Sequence, residues 1–299
     1  MTTEREKKTV SLVLGSGGAR GLAHIGVIEW LQENGFEIRS IAGSSMGALI
    51  GGIYAAGELQ TYKNWVTALE KKDVLSMLDL SFSSTGLFKG ERIMEKLKAL
   101  IQDRDIEDLP ISFTAVATDI EQQKEVWLTK GPLFDAIRAS MAVPMIFTPH
   151  KIDGRYLLDG GMVNPLPIAP TLTDMNDYIV AVDLGARPEE AAVSAGEMRS
   201  GSRSESDGSY RERLQVFIEE LQERFGGNQD DGDWNLFDVM GMSFDTMQNT
   251  LARMKLAAYS PDIILHISRD AARSFEFFRA AELIELGHSS AERILAERL

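Results

Sequence analysis

In its N-terminal part the chain twice runs an apolar strand pattern into a glycine-rich turn and straight out into a helix pattern. The first pass takes Thr9 to Leu14 through Gly15-Ser16-Gly17-Gly18-Ala19-Arg20-Gly21 into a helix from Leu22 to Asn34, which Gly35 stops. The second takes Ile38 to Ala42 through Gly43-Ser44-Ser45-Met46-Gly47 into a helix from Met46 to Ala56. Strand, turn and helix repeated this closely point to a mainly parallel sheet covered by helices on both faces. The second turn reads G-x-S-x-G, the sharp elbow that lifts a serine hydroxyl clear of a sheet. Gly43 and Gly47 leave room there for the neighbouring strand and an incoming substrate. Small residues at Gly47, Gly51 and Ala55 let the helix lie close against the sheet. The plain alternative is a serine that only caps a helix.

The first turn exposes backbone N–H groups at a helix N-terminus, which favours negative charge. Two nucleotide readings fail on the residues. A phosphate-binding loop needs G-x-x-x-x-G-K-[ST], but counting from Gly15 the chain has Arg20-Gly21-Leu22 there. A dinucleotide fingerprint needs a third glycine where Arg20 stands, and an acidic residue where the second strand instead closes on the serine elbow. A cradle for the oxyanion of an acyl-transfer step remains.

A third motif, Asp159-Gly160-Gly161, follows a hairpin pattern from His150 to Leu158. Asp153-Gly154 is its expected two-residue turn, because type I′ geometry wants positive φ at both positions. The second hairpin strand then delivers Asp159 to its end. Taken alone, an Asp-Gly step is usually a solvent-facing turn.

Together the glycine turn, the elbow and the Asp-Gly-Gly step resemble the patatin-like phospholipase family, whose aspartate stands in a D-G-[GA] motif. The likeness runs from about Thr9 to Asp183 and takes in Arg138-Ala139-Ser140-Met141-Ala142-Val143-Pro144. The layout, with its long acidic C-terminal part, looks most like bacterial members of the RssA-like subgroup. Ser16 departs from the glycine many relatives carry, and serine cannot take every glycine conformation. The resemblance implies a three-layer α/β serine hydrolase that cleaves acyl esters of lipids with a Ser-Asp dyad and no cofactor. It implies Ser45 as nucleophile and Asp159 as the acceptor of its proton. The amides of Gly17 and Gly18, with Ala19 as a third candidate, would hold the oxyanion. Gly15, Arg20, Gly21, Gly43, Gly47, Gly160 and Gly161 support these as motif residues. A dyad without imidazole has a weaker base, so modest turnover is expected.

Four histidines test that expectation: His24, His150, His266 and His288. An α/β-hydrolase triad orders serine, acid, then histidine, which leaves His266 and His288 as candidates. His266 lies in an apolar strand pattern, Asp262 to Ile267, where a packed or strand-end histidine is expected. His288 follows Leu286-Gly287 and reads as a capping or solvent-facing residue. His24, one turn into the first helix, suits a structural hydrogen bond near the site.

The 299 residues carry a net charge of −14 and no cysteine. Disulfides and thiolate metal sites are thereby excluded. The acidic balance argues against nucleic acid and against electrostatic capture by anionic lipid, so a lipid ester would be met through apolar contact. Met1 to Lys8 lacks a signal-peptide core and no run suits a bilayer span, so a cytoplasmic protein is expected, with peripheral contact at the inner membrane face as an option. Met141 to Phe147, with Phe82, Leu87 and Phe88, offers an acyl groove, a membrane contact or ordinary core packing.

The expected organisation is an N-terminal extension over 1–8, a catalytic domain over 9–186, a flexible linker over 187–210 and a C-terminal elaboration over 211–299. Within it, helices are expected at Glu91 to Ile101 and Leu133 to Met141, and strands at Ile111 to Thr118, Glu125 to Leu128 and Tyr178 to Asp183. Gly226 to Asp233 reads as a second linker. Two amphipathic helices flank it, one with Leu214, Phe217, Leu221 and Phe225, the other with Met240, Phe244, Met247, Leu251 and Met254. The methionine row fits packing onto the main domain, with a self-association surface or a lid over the site as alternatives. Ile263 to Ile267 is expected to rejoin the main sheet. The reading is hydrolysis of a phospholipid or lysophospholipid ester. A regulatory or scaffolding protein on the same fold, and an acyl-carrier transacylase that would need a histidine, are the competing readings.

Overall fold

β1 (Thr9–Leu14) is buried along its whole length, the mark of a central strand in a parallel sheet covered on both faces. The computed structural model describes residues 7–76, 86–193 and 236–296. After β1 come a 3-10 turn at Gly18–Leu22, α1 (Ala23–Glu33), β2 (Glu37–Ser44), α2 (Met46–Ala55), α3 (Leu59–Thr67) and α4 (Lys71–Ser76). The middle of the chain forms β3 (Gly86–Phe88), α5 (Glu91–Leu100), β4 (Ser112–Asp119), β5 (Lys124–Leu128), α6 (Leu133–Ser140) and β6 (Met145–Phe147). Then follow β7 (His150–Ile152), β8 (Arg155–Asp159), β9 (Tyr178–Ala186), α7 (Pro188–Val193), α8 (Leu236–Tyr259), β10 (Ile263–Ser268) and α9 (Ala280–Leu295).

The main sheet runs β10-β9-β1-β2-β4-β8-β7, with β5 on the free edge of β4. β10, β9, β1, β2 and β4 are parallel, while β5, β8 and β7 are antiparallel to their neighbours. The expected three-layer α/β architecture is therefore present. β3 and β6 make a separate two-stranded sheet, in which Phe88 pairs with Phe147 and is buried. The 153–154 hairpin turn has φ of 50° at Asp153 and 80° at Gly154, as the Asp-Gly step demands.

Alternate residues of β1 feed two cores. Val10, Leu12 and Leu14 join the larger one with α1, α2, α6 and α9. Val13 joins a smaller one on the other face with Leu166, Ile168, Ala181 and Ala252 of α8. α2 is apolar all round and lies so near β1 that a Cβ at Gly47 would stand 2.0 Å from the Leu14 carbonyl oxygen. Strand and helix are also folded tightly onto each other at the elbow, since a Cβ at Gly43 would meet the Gly47 carbonyl oxygen at 2.3 Å.

Two expectations need adjustment. The linker expected from 187 opens with α7, and its remainder from 194 lies outside the described residues, as do Phe82, the 226–233 linker and the helix expected around Leu214 to Phe225. The methionine row of α8 does not pack inward. Ala252 is buried and Leu256 and Tyr259 join the smaller core, while Met240, Met247 and Met254 are exposed. In the C-terminal part β10 pairs β9 and so lies in the main sheet, as expected of Ile263 to Ile267, and α9 contributes Leu283, Ile284, Ala291 and Leu295 to the larger core. No helix among the described residues is long and apolar enough to cross a membrane.

Candidate active site

β4 brings the two distant motifs together. β5 occupies one edge of β4 along Ala115–Asp119. On the opposite edge β2 pairs parallel, with Ser44 across from Val116, and β8 pairs antiparallel, with Asp159 across from Ala117. The C-terminal ends of β2 and β8 thus meet head to head on neighbouring rungs. Ser45, the next residue after β2, is turned out beside Asp159. A Cβ on Gly160 would stand 2.1 Å from the Val116 carbonyl oxygen and 2.6 Å from Ser44 Oγ, so only glycine allows the two ends this close.

Ser45 takes φ 55° and ψ −119°, a conformation that costs a non-glycine residue about 1–3 kcal/mol. The surroundings hold it there. Its amide donates to Ser140 Oγ at 2.9 Å, and that hydroxyl donates to the Val116 carbonyl at 2.6 Å. Its carbonyl accepts from Ala48 and Leu49 and so starts α2. Ser140 stands in the Arg138 to Pro144 stretch, where the sequence shows only a family likeness. Its clamp on the elbow is invisible without the tertiary contact.

Asp159 is fully buried. Oδ1 accepts from the Gly161 amide at 2.7 Å, and the backbone is pinned by Asp159 N donating to the Ala142 carbonyl and Thr118 Oγ1 donating to the Asp159 carbonyl. Oδ2 is buried with no hydrogen-bond partner among the described residues. Burial pushes the carboxyl up to about 7; the nearby Ser45 hydroxyl and the Gly161 amide pull it down by less. The Ser45 hydroxyl is thus close enough to favour the carboxylate, although no hydrogen bond of good geometry joins it to Oδ2 in the resting site.

The first glycine turn is fixed on both sides. Gly15 N donates to the Val182 carbonyl, Ser16 N to the Pro165 carbonyl and Ala19 N to the Ser274 carbonyl. The amides of Gly17 and Gly18 between them meet no acceptor among the described residues. Ala19, the third candidate, already has its amide in use at 3.0 Å. Buried Arg20 donates from Nε to the Gly17 carbonyl at 3.0 Å and from Nη1 to the Arg269 carbonyl at 2.7 Å. The Gly17 carbonyl and the Gly18 N–H belong to one planar trans peptide, so holding the oxygen fixes where the N–H points. Ser16 sits here without positive φ, and its hydroxyl reaches Ser44 Oγ at 3.4 Å.

Each histidine is occupied elsewhere. His24 is buried, its Nε2 paired with the Gly15 carbonyl at 2.9 Å, and burial lowers its pKa to about 4, so it is a neutral brace for the glycine turn. His266 faces Asp183, His288 faces Glu33, and His150 lies 3.8 Å from Asp135. Among the described residues no group of three His, Cys, Asp or Glu is arranged to hold a metal ion.

The family model for patatin-like phospholipases matches residues 12–172. An uncharacterized NTE family protein of Mycobacterium tuberculosis is 38% identical over 327 residues, covering 96% of this chain and 91% of that protein. Patatin-like phospholipase domain-containing proteins of Caenorhabditis elegans and Rattus norvegicus are 35% and 33% identical over 203 and 201 residues, 64% of this chain and 15% of each relative. The matched span holds the glycine turn, the elbow and the Asp-Gly-Gly step whose geometry is given above, and the chain belongs to the patatin-like phospholipase family.

Proposed function

We propose that this chain hydrolyses a carboxylic ester of a phospholipid or lysophospholipid with a Ser-Asp dyad. One observation carries the reading: a buried aspartate with an oxygen unpartnered among the described residues, and a carboxyl raised to about 7, lies beside a strained serine at the foot of a helix. Ser45 Oγ attacks the ester carbonyl while Asp159 Oδ2 takes the hydroxyl proton. The amides of Gly17 and Gly18 receive the oxyanion, a contribution of about 3–4 kcal/mol for one donor tested by removal. Asp159 returns the proton to the departing alcohol, and a water then releases the acyl group from Ser45 with Asp159 again as base. A carboxyl near 7 suits this work, since general-base catalysis is most effective when the base's pKa lies near the operating pH.

Hydrolysis of a p-nitrophenyl ester by purified protein tests the reading. Ser45→Ala should abolish it, and Asp159→Asn should lower kcat at least about a hundredfold. Gln replacements of His150, His266 and His288 should keep most of it. A folded histidine variant as inactive as Ser45→Ala would mean a triad. Wild-type protein with no esterase activity would favour the regulatory or scaffolding reading.

A further inference from the structure

α8 carries its apolar and polar sides in an unexpected order. Met240, Met247 and Met254, at seven-residue spacing, are exposed. Asp245, Gln248 and Asn249 share the opposite, inward side at i, i+3 and i+4. A helix that only packed would turn its methionines in and its carboxamides out.

The inward polar side meets the site at three points. Asp245 acts electrostatically on Arg20, which holds the oxyanion turn. Gln248 Nε2 would stand 2.1 Å from a Cβ on Gly161, the residue whose amide holds Asp159. Asn249 Oδ1 would stand 2.1 Å from a Cβ on Gly185, next to Leu184, whose side chain fills the space at Gly17. Ser16 Oγ and Asp159 Oδ1 crowd the same point above Gly161, at 2.5 and 2.9 Å. The Gln248 carboxamide therefore borders the space between the oxyanion turn and the acid turn. It is half-buried and has no hydrogen-bond partner among the described residues, although such a group has two donors and an acceptor to satisfy.

We propose that Gln248 contacts the substrate, its carboxamide donating to the oxygen-rich group beside the scissile ester, the glycerol hydroxyl or phosphodiester of a lysophospholipid. The proposal rests on reading the site as a lipid esterase. It assigns recognition of the polar part of the lipid to a helix outside the 12–172 span that the family model matches.

Two substrates with the same acyl chain separate this role from others: a lysophospholipid, and a p-nitrophenyl ester lacking the glycerol and phosphate. Gln248→Leu should lower kcat/KM on the lysophospholipid at least about tenfold, mainly through KM, and leave the p-nitrophenyl ester nearly unchanged. Gln248→Met keeps the length and loses both donors without adding charge beside Asp159, so it should be as poor on the lysophospholipid while melting like wild type. Equal losses on both substrates, or none on either, would overturn the proposal while the esterase reading stands. A wild type inactive on both would overturn the esterase reading, and this proposal with it.

Discussion

Replacing Asp159 with Asn should slow the reaction at least about a hundredfold and strengthen the fold, and the strengthening should depend on pH. Asparagine keeps the side-chain shape and an Oδ1 to accept the Gly161 amide. It removes a fully buried carboxyl whose pKa rises from 3.8 to about 7 on burial. Below 3.8 both folded and unfolded chains carry the proton. Between 3.8 and about 7 the unfolded chain has lost it and the native chain holds it. Wild-type stability therefore falls as pH rises through that window, and the loss is complete above the folded pKa. A shift of about three units at about 1.36 kcal/mol per unit sets the full cost at about 4 kcal/mol. The variant has no such proton, so its advantage should grow by about 2–3 kcal/mol between pH 5 and pH 8. Urea unfolding at pH 5, 6.5 and 8 measures this, and at pH 8 the melting temperature should rise by roughly 10 °C. A pH-independent difference, or a variant less stable than wild type at pH 8, would refute the buried, raised carboxyl.

Further tests bear on the other parts of the site. The acidic limb of kcat/KM should turn near pH 7, where a histidine base would also place it, and should survive in the His150, His266 and His288 variants because the titrating group is Asp159. Ser45→Gly, at φ 55°, should gain about 1 kcal/mol in unfolding free energy while losing all turnover; a loss of stability would deny strain at the elbow. Arg20→Met frees the Gly17 carbonyl and with it the Gly18 amide, so kcat should fall more than tenfold with KM little changed. A pure KM effect would take Arg20 out of the oxyanion turn.

Much of this architecture is legible in the residues because it is local. Glycine turns between strand and helix patterns mark the two loops of the site, and Asp153-Gly154 marks the hairpin that ends on Asp159. What stayed hidden is non-local. Nothing in the order of residues says that β2 and β8 share one edge of β4, which is what joins Ser45 to Asp159. Ser140 looks like any helical serine until its hydroxyl is seen holding the Ser45 amide. The raised carboxyl of Asp159 is likewise a product of burial rather than of its Asp-Gly neighbours. α8 gives the clearest divergence: its periodicity reveals the helix but not which side faces the domain. Small Ala252 lets the helix sit close to the sheet, and glycines at 161 and 185 make room for its carboxamides, so the methionines are left outside.

Covalent chemistry can show whether Ser45 is a nucleophile activated by Asp159 without a histidine. Labelling with a fluorophosphonate, followed by mass spectrometry of the digested protein, tests it most directly. A single phosphonyl adduct on Ser45, formed with loss of fluoride, is expected, appearing much more slowly in Asp159→Asn and at the wild-type rate in His266→Gln and His288→Gln. An adduct on another residue, or a Ser45 adduct that forms as fast without Asp159, would contradict it.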